Sequence, residues 1–64
     1  MSHIGIQVLT RGTKRAKWLT PTGGLTTKRI HAMFSTDGER MVKIAADVQT
    51  DNADTVEWAK AVQL

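Results

Sequence analysis

The sequence predicts a small α+β domain: one helix packed on one face of a small, largely antiparallel three-stranded sheet, in the order β-β-α-β. Three patterns carry that expectation. Near the start, Ile4, Ile6 and Val8 alternate with Gly5 and Gln7, the period of a strand with one buried face. In the middle, Met41, Ile44, Ala45 and Val48 recur at i, i+3, i+4 and i+7, the apolar stripe of an amphipathic helix. At the end, Val56, Trp58, Val62 and Leu64 fall on alternate positions with only Lys60 breaking the row, whereas on a helix they would scatter around the circumference. With 64 residues the chain is read as a single domain over residues 1–64.

The first strand falls in "HIGIQVLTRG". A glycine within the polar basic cluster "TRGTKR" then marks a hairpin, and "AKWLT" supplies a second short β-prone run. Pro21, Gly23 and Gly24 end it, because proline has no amide to give a ladder and paired glycines favour a reversal. "LTTKRIHAMF" is open between a third strand returning along the second and an irregular crossing to the helix that contains a short strand, and the crossing is favoured. Thr36 with Glu39 three residues on forms a capping box that starts the helix, and Asp37 and Glu39 suit the positive end of its dipole. Asn52 is expected to close it. The last strand, in "TVEWAKAVQL", is placed beside the first.

A hydrophobic fraction of 41% against 23% charged residues fits a folded chain rather than a disordered one. A domain of this size buries only about 60% of the surface its unfolded chain exposes. Cysteine is absent, so neither a disulfide framework nor a thiolate metal site supports the fold, and a second copy of the chain is among the expected partners. No signal-peptide core and no membrane-length apolar run appears, from which a cytoplasmic location is expected. The charges are unevenly placed. Arg11, Lys14, Arg15, Lys17, Lys28 and Arg29 precede the first carboxylate, Asp37; from Asp37 onward, six carboxylates face three cations. The chain is a basic half joined to an acidic half.

The junction "AMFSTDGERMVKIAADV", preceded by "KWLTPTGGLTTKR" and followed by a short terminal strand, resembles a pattern common among tiny phage-encoded proteins. The resemblance covers most of the chain and implies an accessory protein of a mobile element. The order of strand, Phe34, cap and helix is also similar to the sheet-plus-helix DNA-binding modules of the AP2 and integrase-arm type. The chain departs from them in lacking three regular strands before the helix, so no DNA-contacting residue is carried over.

"WLTPTGGLTTKR" has the composition of a phosphate cradle, but a Walker loop needs G-x-x-x-x-G-K-[ST] between a strand and a helix, and no Gly-Lys-Ser/Thr triplet occurs in the chain. The stretch reads as a turn. His3 and His31 are the only imidazoles, too few for a zinc site without cysteine, and Asp51 with Asp54 lacks the glycine and final glutamate of a calcium loop. Neither Ser2 nor Ser35 has the glycine elbow or neighbouring base of a nucleophile. No enzyme activity, no cofactor and no metal is expected.

The basic hairpin is the candidate site. Arg11, Lys14, Arg15 and Lys17 lie within seven residues, with glycine amides and threonine hydroxyls between them, the groups that phosphate contacts require. Trp18 is read as a core residue or, if exposed, as a platform on which an unpaired base stacks. If the PTGG turn folds the chain back, Lys28 and Arg29 join the cluster to make one cationic edge. The expected function is that of a small non-catalytic nucleic-acid-binding accessory protein. The alternative is a phage-type inhibitor or modulator of a host protein, docked through an acidic partner surface on the basic edge, or through an open sheet face carrying Leu9, Leu19 and a tryptophan.

Overall fold

A computed structural model describes residues 3–64, and in it β1 (Ile4–Thr10) is the strand on which the other elements are placed. β4 (Val56–Gln63) runs antiparallel along one side of it from Ile4↔Gln63 to Thr10↔Val56. On the other side lies β2 (Lys17–Leu19), paired through Gln7↔Trp18 and Val8↔Lys17. The last strand is therefore beside the first, as its alternation predicts.

The sheet has four strands, not three, in the order β3-β2-β1-β4. The additional strand, β3 (Leu25–Thr26), pairs back on β2 through Trp18↔Thr26 and Leu19↔Leu25. Two residues are too few to display a period, which is why the segment reads as a crossing in the sequence. Beyond β3 the chain bends, makes a 3-10 turn at Arg29–His31, and returns to β1, where Ser35 and Ile4 exchange backbone hydrogen bonds of 2.8 and 3.1 Å. Three strands thus precede the helix.

α1 (Gly38–Asp51) starts one residue later than a capping box at Thr36 would place it. Asp37 is the N-cap: its Oδ1 accepts from the Arg40 amide at 3.1 Å, and its own amide donates to Ser35 Oγ at 3.1 Å. Aspartate accepts this bond as well as threonine does and adds a charge at the positive end of the dipole. Asn52 closes the helix as expected, with its amide and its side-chain Nδ2 both donating to Val48 O.

α1 covers one face of β1 and β4. Ile6, Val8 and Met41 are fully buried there, with Leu19, Ala45, Val56 and Ala59 around them and Ile4, Ile44, Val48 and Ala61 at the margin. Each large side chain taken out of water contributes about 1.5–3 kcal/mol. The terminal strand departs from the sequence reading in its register. Leu9 pairs with Trp58 but Thr10 pairs with Val56, so Glu57 is an extra residue, and the bulge turns Val56 to the helix side while Trp58 goes to the other. Beyond it, Ala59 and Ala61 face α1 and Lys60 and Val62 face away.

On the face away from the helix, Gly5 is buried by Trp18 and Phe34. A Cβ built on Gly5 would lie 3.0 Å from Trp18 Cζ3 and 3.3 Å from Phe34 Cε1. The rings close over bare backbone, so a side chain here has to push them away. Gly5→Ala is expected to lower stability by about 1–2 kcal/mol, since overpacking outweighs the smaller entropy loss of alanine. Urea unfolding followed by tryptophan fluorescence checks this, and an unchanged or raised midpoint would contradict the packing.

Candidate nucleic-acid interface

The PTGG turn uses its own polar groups. The Gly23 amide donates to Thr20 O at 3.0 Å and the Gly24 amide to Thr20 Oγ1 at 2.9 Å, while Thr20 N donates to Gly24 O at 2.9 Å. Gly23 takes the positive φ of 91° that such a turn requires. With both glycine amides engaged, the stretch is a turn and not an anion cradle.

The turn does not bring Arg29 to the hairpin cations. The β1–β2 loop carries Arg11, Lys14 and Arg15, all exposed, at the far end of β1. Arg29 instead lines a hollow with His3, Phe34 and Leu64 beside the start of β1. Ile4 and Thr10 are six residues apart on one strand, about 20 Å at about 3.3 Å per residue. The single cationic edge expected from the sequence is therefore not completed by Arg29, which stands at the Ile4 end of β1 while Arg11, Lys14 and Arg15 stand at the Thr10 end.

The loop itself is less free than its composition suggests. The Arg11 amide donates to Thr55 O at 2.8 Å, and its Nε donates to Ala53 O at 2.9 Å. Arg11 thereby ties the basic loop to the α1–β4 connection, which carries Asp54. Lys17 pairs with Val8 and so stands on the helix side of the sheet, opposite to Trp18. Leu19 is also on the helix side and is buried, which removes it from the open face.

What the open face does carry is aromatic. The chain has two tryptophans, one phenylalanine and no tyrosine, and all three rings lie on this face. Trp18 and Phe34 meet over Gly5, and Trp58 is the cross-strand partner of Leu9. Lys60, opposite Gln7, holds its Nζ 4.8 Å from the Trp58 ring centre, a cation–π contact. Trp18 and Trp58 are half-buried and Phe34 is 37% exposed, so ring surface remains accessible. Most of the carboxylates belong to the other layer: Asp37 caps α1, and Glu39, Asp47 and Asp51 lie in it. α1 also carries Arg40 and Lys43, and β4 carries Glu57, so the acidic half of the sequence is shared between the helix and the sheet.

Phe34, Trp58 and Lys60 are the members of this face that the sequence reading did not assign to the site. The signal for Phe34 and Trp58 was available only as the scarcity of aromatics, because the bulge at Glu57 and the return of residues 33–35 to β1 cannot be read from periodicity. Ser2 lies outside the described residues. Among the described residues, no group of three His, Cys, Asp or Glu side chains is arranged to hold a metal ion, and no helix is long and apolar enough to cross a membrane.

Comparison with protein families, with characterised proteins and with solved structures returns no match.

The loop contacts separate one structural cation from two free of that duty. Arg11→Ala is expected to cost about 0.5–1.5 kcal/mol by releasing the Ala53 carbonyl. Lys14→Ala and Arg15→Ala should each stay within about 0.5 kcal/mol of the parent. Thermal melts of the three variants check this ordering, and equal effects at all three positions would contradict the tether.

Proposed function

We propose that the chain is a small non-catalytic nucleic-acid-binding protein, of the phage-type accessory kind its sequence resembles, that takes unpaired strands on the open face of its sheet. The observation that carries the reading is the gathering of Trp18, Phe34 and Trp58 on one face, beside Lys60 and opposite the face that α1 covers. Bases offer flat faces to such rings only when unpaired, and each stacked base is worth about 1–3 kcal/mol. Lys14, Arg15 and Arg29 at the ends of the face supply phosphate contacts. In this reading the hairpin is the rim of the site rather than the site itself, since Arg11 is tethered and Lys17 stands on the opposite face.

Three polar side chains are engaged in holding the fold. Asp37 caps the helix, Ser35 accepts from the Asp37 amide, and Gln49 Oε1 accepts from the Ala59 amide at 3.0 Å. These engagements support a binding role without turnover. The face is complete within one chain, so the proposal does not depend on a second copy.

A second reading, docking on a host protein, is favoured by Ile30, which is 81% exposed between Arg29 and His31 in the 3-10 turn. One titration separates the two. Fluorescent single-stranded and duplex oligonucleotides of equal length are titrated at 50 and 200 mM salt, beside capture from nuclease-treated lysate. The first reading predicts that the single strand binds more tightly than the duplex. Trp18→Ala or Trp58→Ala should then weaken it by about 1–3 kcal/mol. With three or four phosphates engaged, log K should fall with log salt at a slope of about −2 to −3. No binding of either nucleic acid at 50 mM salt, together with a nuclease-resistant partner lost on Ile30→Asp, would establish the second reading instead.

A further inference from the structure

We infer that the bound strand lies lengthwise along β1 and is anchored at both ends, with the hollow formed by His3, Arg29, Phe34 and Leu64 as its second anchoring point. The inference rests on the nucleic-acid reading above and names the path and length of what that face holds. Phe34 belongs both to the hollow and to the ring cluster over Gly5, so the hollow opens onto the aromatic face. Its volume of about 370 Å³ lies at the lower end of the range for pockets that hold small ligands, room for one nucleotide unit. Its lining suits one: a guanidinium that forks onto a phosphate, an imidazole beside it, and a phenyl ring for the base.

From this corner the face continues through Trp18, level with Gln7, to Trp58 and Lys60, level with Leu9 and Gln7, and ends at the loop bearing Lys14 and Arg15. Cations thus stand at both ends of an aromatic track about 20 Å long. A stacked strand advances about 3.4 Å per nucleotide, so six would span it, and fewer if the bases are splayed onto separate rings. A footprint of about four to six nucleotides results, at the small end of known single-strand sites. Duplex DNA has no bases to offer such a track, and a trimer is too short to touch both ends.

Thymidine oligomers of three, six and twelve nucleotides, titrated against the parent chain and its variants, test the path. Affinity is expected to rise at least tenfold from three to six nucleotides and by about twofold from six to twelve, where only the number of registers grows. Arg29→Gln, and Lys14→Ala with Arg15→Ala, should each weaken the six-mer about three- to tenfold, and together they should multiply. For the trimer, one of the two changes should have no effect. Melting temperatures of the variants confirm that the fold is retained. If the six-mer is indifferent to Arg29→Gln yet still weakened by Trp18→Ala and Trp58→Ala, the spanning path is wrong while the nucleic-acid reading stands. If no oligomer binds at all, that reading fails and the path with it.

Discussion

Each residue of β1 points to the face opposite its neighbour, and this alternation constrains the rest of the molecule. Ile6 and Val8 are buried against Met41 and Ala45 of α1, so Gly5, Gln7 and Leu9 must face the other way. The cross-strand partners inherit the division. Lys17, Ala59 and Ala61 go to the helix side with Val8 and Ile6, while Trp18, Trp58, Lys60 and Val62 go to the open side. Alanines under the helix let α1 approach β4 closely, and the large rings are left for the face that no helix covers. A slip of one residue would exchange these sets, turning Trp18 to the helix side in the β1–β2 pairing or burying Lys60 and Trp58 beneath α1 in the β1–β4 pairing.

The open face is held in shape by an absence. Because Gly5 has no side chain, Trp18 and Phe34 settle on the backbone of β1 and fix each other, which links the β2 hairpin to the segment returning from the 3-10 turn. That second link is reinforced by the Met33 amide donating to Leu19 O at 2.8 Å and by the bridge between Ser35 and Ile4. Rings immobilised in this way lose little freedom when a base stacks on them, and pre-ordering of this kind favours binding. At the opposite edge, Gln49 occupies the outward amide of Ala59, which blunts β4 as a template for another strand.

Much of the architecture was legible in the sequence, and the parts that were not share a cause. Ile4, Ile6 and Val8 revealed β1, and the Met41 to Val48 stripe revealed α1, because both elements bury one face over enough residues to show a period. Leu25–Thr26 shows none, being two residues long, and its pairing with β2 depends on the turn. The bulge at Glu57 breaks the parity of the last strand, so Val56 and Trp58, apparently on one face, lie on opposite faces. Thr36 and Asp37 are both good caps, and only the folded chain chooses between them. The candidate site depended on the same hidden joins: the hairpin was visible as a charge cluster, but not that Arg11 is used to hold a loop or that the chain turns Arg29 toward His3.

In the proposed function, binding belongs to the aromatic face of the sheet and not to the basic loop or the helix. Two-dimensional NMR of the labelled chain during addition of a six-nucleotide single strand tests it directly, since the indole N–H signals of Trp18 and Trp58 report on that face alone. The account predicts that both indoles shift together with the amides of Gly5, Gln7 and Leu9, while the α1 amides from Met41 to Val48 stay in place. Shifts confined to residues 11–17 or to α1, with both indoles unmoved, would contradict it.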